Sequence, residues 1–280
     1  MLRAITFGVL VLVAAASAQN FDDIKIEKVA AGYVFTEGPV WSRDGYLLWS
    51  DVPSSRILKW VPGEKIGVFR EQSGAASGNA MDAKGNLYTC EIKARRVTRT
   101  DKKGAVEVLA EKWEGKRLNA PNDIVVRRDG HVYFTDPAFG NQAETRELDF
   151  YGIYHIPPKG RPNGVAISPN GKLLYVANSD DRAIYAYDLD GKGLAGNERK
   201  LISKIIGSPD GIRVDEKGNL YVTAEGLAIY SPDGKLIHTI EMAETPRNLA
   251  FGDPDFQTLY ITALTSVYRV RLDVKGSVQY

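Results

Sequence analysis

The chain of 280 residues has a single cysteine, Cys90, and three histidines. One thiol excludes an intrachain disulfide framework and any CxxC metal site, and three scattered histidines argue against a histidine-rich zinc centre. Net charge is nearly absent as well: 36 Lys and Arg stand against 35 Asp and Glu, a formal +1. Without a basic surplus there is no reason to expect a nucleic acid or an anionic membrane as partner. After residue 18 no segment is apolar enough to cross a membrane. None keeps a 3.6-residue apolar period either, so helices should be few and short. No GxSxG phrase occurs, which leaves a Ser-His-Asp esterase without sequence support. What is present is an ordinary globular composition, 44% hydrophobic and 25% charged, with 27 Gly and 13 Pro marking many turns.

Residues 1–18 carry the pattern of a secretory leader. Arg3 supplies the positive start, Ile5 to Ala16 the apolar core, and Ala16-Ser17-Ala18 the small-x-small cleavage site. The apolar run is short for a membrane span, and Gln19-Asn20-Phe21-Asp22-Asp23 adds no basic stop-transfer flank. The expectation is cleavage after Ala18, a periplasmic or secreted protein free of the membrane, and residues 19–280 as one folded domain. A lone thiol suits an oxidising compartment.

The rest of the chain repeats itself. A small turn followed by an alternating apolar run recurs as DGYLLWSD, KGNLYTCE, DGHVYFTD, NGKLLYVAN, KGNLYVTA and FQTLYITA. Equivalent positions are Leu48, Tyr88, Tyr133, Tyr175, Tyr221 and Tyr260, spaced by 39 to 46 residues. That period fits a four-stranded propeller blade. A short apolar strand precedes each turn (PVWS, NAMDA, DIVVR, GVAIS, GIRVD, NLAFG), and a third follows it (SRILKW, RRVTRT, GIYHI, AIYAYDL, LAIYS, SVYRVRL). A β-sandwich would not need such even repetition. The fold class predicted is all-β, a six-bladed β-propeller, with Ile24–Val29 completing blade six and removing an exposed edge.

First strands line a propeller's channel, so their starting residues should converge on its axis. In order these are Glu37, Ser77, Asn122, Asn163, Asp210 and Arg247. Two carboxylates in a narrow channel are costly unless a cation neutralises them. Glu37 and Asp210, with the side-chain carbonyls of Asn122 and Asn163, make an all-oxygen set. Such a set suits a hard divalent cation, Ca²⁺ first, with Mg²⁺, Mn²⁺ or Zn²⁺ as alternatives. The plainer alternative is that each Asn-Gly or Asp-Gly is only a turn. Four in register with the blade period favour the ion site.

At this point the phrases TEGPVWSRDGYLLWSD, LYTCEIKARRVTR, LNAPNDIVVRRDGHVYFTDPAFG, RPNGVAISPNGKLLYVANS, SPDGIRVDEKGNLYVTA and RNLAFG resemble the senescence-marker-protein/gluconolactonase (regucalcin-like) family. The resemblance covers nearly the whole chain after the leader. It implies a propeller with one divalent metal and hydrolysis of sugar lactones or related esters. The family's metal ligands fall on Glu37, Asn122, Asn163 and Asp210, and its proton donor/acceptor on Asp210. Three departures stand out: Ser77 and Ile92 replace the Asn and His usual in blade two, Arg247 replaces a frequent Thr, and a short 151–161 segment predicts blade three without its outer strand.

The chemistry expected is polarisation of a lactone carbonyl by the ion and attack by water, with Asp210 moving the proton. A carboxylate on a cation is a weakened base, so water acidified by the ion competes for activation. Asp136, at the end of a second strand, is the best further acid and could touch substrate hydroxyls; an Asp-Pro turn explains it equally well. Asn119 and Arg117 lie on the loop entering blade three and could contact substrate. Arg247 could bind an anionic substrate group or repel the metal. Cys90 reads as core, as do Tyr185, Tyr187, Tyr230 and Tyr268, and the three histidines read as solvated or packed. The expected partner is a small lactone or ester, and the chain is expected to be a monomer. Two other readings stay open: a broader esterase or phosphotriesterase, and a non-catalytic propeller that keeps the ion for structure.

Overall fold

The structure is a computed structural model that describes residues 21, 24–139, 141–154 and 162–277. The leader pattern of residues 1–18 and His155 lie outside the described residues. Six antiparallel sheets follow one another as blades, each running outwards from a channel-lining strand. Blade one orders Thr36–Ser42, Tyr46–Asp51, Arg56–Trp60 and Gly67–Arg70. Blades two, four and five repeat it, with inner strands Ala76–Met81, Pro162–Ile167 and Ile212–Val214. In blade six the inner strand Pro246–Gly252 leads out to Ser266–Arg271, which pairs with Ile26–Ala31 from the other end of the chain. The ring closes as expected. Arg269 Nη2 to Glu27 Oε2 at 2.6 Å lies across that joint.

The hairpins explain the repeated Asp-x-x-Gly-Asn phrase. Asp82 Oδ1 accepts from the Lys84 and Asn86 N–H groups, and Asp215 Oδ1 accepts from those of Lys217 and Asn219. Each aspartate thus takes over the turn's backbone donors while Gly85 and Gly218 supply the positive φ. The recurring second-strand tyrosine belongs to the same device. Its ring is buried between blades, and its hydroxyl donates back to the hairpin: Tyr88 to Asp82 at 3.2 Å, Tyr221 to Asp215 at 3.3 Å, Tyr260 to Asp253 at 2.8 Å. Burying a phenol needs such a partner, so ring and acid recur together.

Blade three is the exception. Among the described residues it has three strands, Ile124–Val126, Val132–Asp136 and the two-residue Gly152–Ile153. A one-turn helix, Asn141–Glu144, lies in the connection. One element was not anticipated: a small hairpin of Lys112–Trp113 with Lys116–Arg117. Its turn residues Glu114 and Gly115 both have positive φ, the tight-turn signature, but the strands lack the apolar alternation that would reveal them.

Candidate functional site

The axial ring is built by close approach of neighbouring inner strands. A Cβ on Gly38 would collide with the Ser77 carbonyl, and one on Gly164 with that of Asp210. The glycine after the axial residue therefore lets the next blade's backbone come near, which turn chemistry would not require. Gly164 carries no positive φ, so close approach alone accounts for it. Backbone bonds continue the circle: Gly78 N–H donates to Asn122 O at 2.7 Å and Gly211 N–H to Arg247 O at 2.9 Å. Blades three and six have Asp123 and Asn248 where the others have this glycine. Asp123 Oδ2 accepts the Val165 N–H at 3.2 Å, and Asn248 Nδ2 donates to Glu37 Oε2 at 3.3 Å. All six blades are thereby stitched together around the channel.

Glu37, Asn163, Asp210 and Arg247 meet in this ring. Glu37 and Asp210 are buried and feel each other's charge. The Asn163 side chain bonds to Asp210 and donates to Ser179 Oγ at 3.3 Å, while its Oδ1 is buried with no partner. Arg247 Nη1 stands 3.8 Å from Asp210 Oδ2. Asn122 is placed on the ring through its backbone; its half-buried side chain makes no hydrogen bond among the described residues. Ser77 is buried, with Oγ unpartnered.

Two residues of the ring escaped sequence reasoning, Asp123 and Asn248. Asp123 is a third buried carboxylate; Arg213 Nη1 lies 3.8 Å from its Oδ2, and Oδ1 has no partner. The available signal was the polar residue at the register where other blades carry glycine.

Burial dominates the electrostatics. Desolvation, then the charge of Asp123, pushes the Glu37 carboxyl up to about 7 against the Gly38 N–H bond. Asp210 is raised well above the ordinary range by desolvation and then by Glu37, with Arg247 opposing. Asp123 also rises through desolvation, although Arg213 pulls it down. Three crowded acids with two distant guanidinium groups leave negative charge uncompensated. Among the described residues no group of three or more His, Cys, Asp or Glu forms a metal cage. The donor set is instead two carboxylates with amide carbonyls, one of them orphaned in a buried position. That chemistry fits a hard cation.

Asn119 and Asp136 sit together beside the ring entrance of blade three. Asp136 is fully buried, and its two oxygens accept the Asn119 and Ala120 N–H groups, each at 2.8 Å. Tyr154 adds a bond at 3.3 Å, and desolvation pushes the carboxyl up to about 6. In this structure Asp136 holds the loop that carries Asn119. The Asn119 amide nitrogen donates to Asp136 O and Phe150 O, and its Oδ1 is buried without a partner. Cys90 is wholly buried, with its thiol raised by desolvation, as befits a core residue.

Three comparisons place this architecture. A gluconolactonase of Zymomonas mobilis is 32% identical, covering 90% of this chain and 82% of its own. The solved structure of a gluconolactonase from Xanthomonas campestris superposes with a TM-score of 0.81 at 32% identity, over 89% of this chain and 90% of that one. A diisopropyl-fluorophosphatase of Loligo vulgaris is 28% identical across 90% of this chain and 94% of its own. The SMP-30/Gluconolactonase/LRE-like region matches residues 35–265. With the blade register, the axial ring and these likenesses in agreement, the chain belongs to the SMP-30/gluconolactonase/LRE-like family.

Proposed function

We propose that this protein hydrolyses a sugar lactone or similar small ester with the help of one divalent cation, Ca²⁺ first. The observation that carries the reading is the buried, unpartnered Asn163 Oδ1 beside Asp210 in a ring whose acids lack a full set of counter-charges. Glu37, Asn122, Asn163 and Asp210 would hold the ion. Bound there, it would polarise the lactone carbonyl and stabilise the negative charge that develops on its oxygen. Asp210 takes a proton from the attacking water and returns it to the ring oxygen as the ester bond breaks. Glu37 is steadied for its part by the Gly38 N–H at 3.1 Å and by Asn248. Asn119 offers its free Oδ1 to a substrate hydroxyl, and Asp136 keeps that loop in place.

The leader pattern supports export to the periplasm or beyond and a mature domain of residues 19–280. N-terminal sequencing of protein from fractionated cells would show cleavage after Ala18; protein retained with its leader in the cytosol would refute it. The decisive activity test is proton release from glucono-δ-lactone with and without chelator. Turnover that chelation abolishes and calcium restores is expected; turnover indifferent to chelation refutes the role of the ion. The Loligo vulgaris relative favours a second reading, attack at a phosphoryl centre, since the same polarisation serves either electrophile. A phosphotriester included in the screen decides between them.

A further inference from the structure

Lactone opening, as laid out above, leaves Arg247 on the axial ring without a task. Its guanidinium lies over the Phe35 ring, 5.3 Å from the centroid, and 3.8 Å from Asp210, beyond hydrogen-bond reach. Nε is buried with no acceptor, and the side chain makes no hydrogen bond among the described residues. A guanidinium carries five donors in a fixed fork, and burying one unsatisfied costs free energy. Such a fork is complementary to an oxyanion, which it grips through two parallel bonds.

Arg247 also lines a surface groove of about 1020 Å³. Along its wall stand Arg182 and Lys204, both exposed and neither in an ion pair among the described residues. The Ile205 N–H donates to Arg182 O at 3.0 Å, so the loops bearing these cations are tied together. Lys200, by contrast, has Asp181 at 3.6 Å. Glu225 is the groove's remaining acid. The charges left unpaired are therefore mainly positive, and a concave wall focuses that field inwards. Arg247, part of the groove's lining, stands 3.8 Å from the proton-transfer carboxylate.

We propose that the groove, with Arg247 in its lining, receives an anionic substituent of the substrate. The natural substrate is then a lactone bearing a carboxylate, phosphate or sulfonate away from its ring carbonyl. This inference rests on the lactone reading above and names its substrate class. Arg247 sets specificity by gripping the oxyanion, while Arg182 and Lys204 draw the charged molecule in.

The test compares glucono-δ-lactone with ring-identical lactones carrying a phosphate, a sulfonate or a carboxylate at C6, on the calcium-loaded protein. The wild type should favour at least one anionic lactone by about 10-fold or more in kcat/KM, the scale of a charge-assisted hydrogen bond. Arg247→Ala should cut that anionic-to-neutral ratio by at least about 10-fold, and Arg247→Lys should recover part of it. The double variant Arg182→Ala/Lys204→Ala should lower the ratio by roughly 3-fold and weaken its salt dependence. The member of the series preferred identifies the substituent. A wild-type preference for the neutral lactone, or a ratio that Arg247→Ala leaves unchanged, overturns the proposal. If no lactone turns over, the hydrolytic reading fails separately, and calorimetry with 6-phosphogluconate decides the groove alone. A Kd that rises at least about 10-fold in Arg247→Ala supports it; absent binding or an unchanged Kd overturns it.

Discussion

Two sets of buried carboxylates are treated in opposite ways in this molecule. Glu91, wholly buried at the end of blade two's second strand, is enclosed by its own chain: Arg70 Nη2 at 2.5 Å, Arg96 Nε at 2.7 Å and Thr98 Oγ1 at 2.9 Å. Glu37 and Asp210, also buried, receive far less. Glu37 has one backbone N–H and one amide, and Asp210 has an amide and a guanidinium at 3.8 Å. The fold can bring arginines to a buried acid, here one from Glu91's own blade and one from the outer strand of blade one. The shortfall on the axis is thus a property of that place, and it is the charge that the proposed cation would neutralise.

The sharpest way to break this contrast is to neutralise one acid of each kind. Asp210→Asn should lower kcat/KM for the lactone by roughly 10³-fold, within the span of a lost proton-transfer group. Its melting temperature should hold or rise in metal-free protein, because a charge disfavoured by burial has gone. Glu91→Gln should do the reverse. Stranding two arginines around an amide costs about 3–5 kcal/mol of folding stability, read by urea unfolding, and should leave calcium affinity within about 3-fold.

A pH series tests the same contrast without mutation. The Glu37 carboxyl moves from its ordinary 4.5 up to about 7, and that of Asp136 from 3.8 up to about 6. Both shifts are upward, so the fold prefers the protonated forms. Neither group affects stability while both states are protonated, below about pH 4, and the cost is complete above about pH 7. Metal-free protein should therefore lose stability as pH rises through that window, by up to about 3 kcal/mol for each group. Excess calcium should relieve the Glu37 part and leave the Asp136 part. A metal-free protein that grows more stable from pH 4 to 7 would refute the assignment. The smallest effect is the surface control: Glu71→Gln breaks the exposed pair with Arg56 at 3.0 Å and should cost less than about 0.5 kcal/mol.

The fold was legible because every blade repeats a turn and an alternating second strand at nearly constant spacing, and in blades two, five and six an aspartate-capped hairpin has a tyrosine behind it. Register then carried Glu37, Asn163, Asp210 and Arg247 onto the axis. Asp123 and Asn248 were harder to see, since each follows an axial residue directly and a strand's neighbour is expected to face away. At these two places the strand enters the ring where a glycine would otherwise allow backbone contact, and a polar side chain bridges instead. The Lys112–Arg117 hairpin was invisible for another reason. It is held by its turn and not by apolar burial, so no periodicity announces it. Nothing in the pattern marked Asp136 as fully buried either, because its partners are backbone N–H groups contributed by a loop.

Titration calorimetry on demetallated protein addresses the central claim most directly. Calcium should bind at one site per chain, and the heat should vanish in Glu37→Gln and in Asp210→Asn while both variants stay folded. A flat titration with calcium, magnesium, manganese and zinc alike would contradict the account.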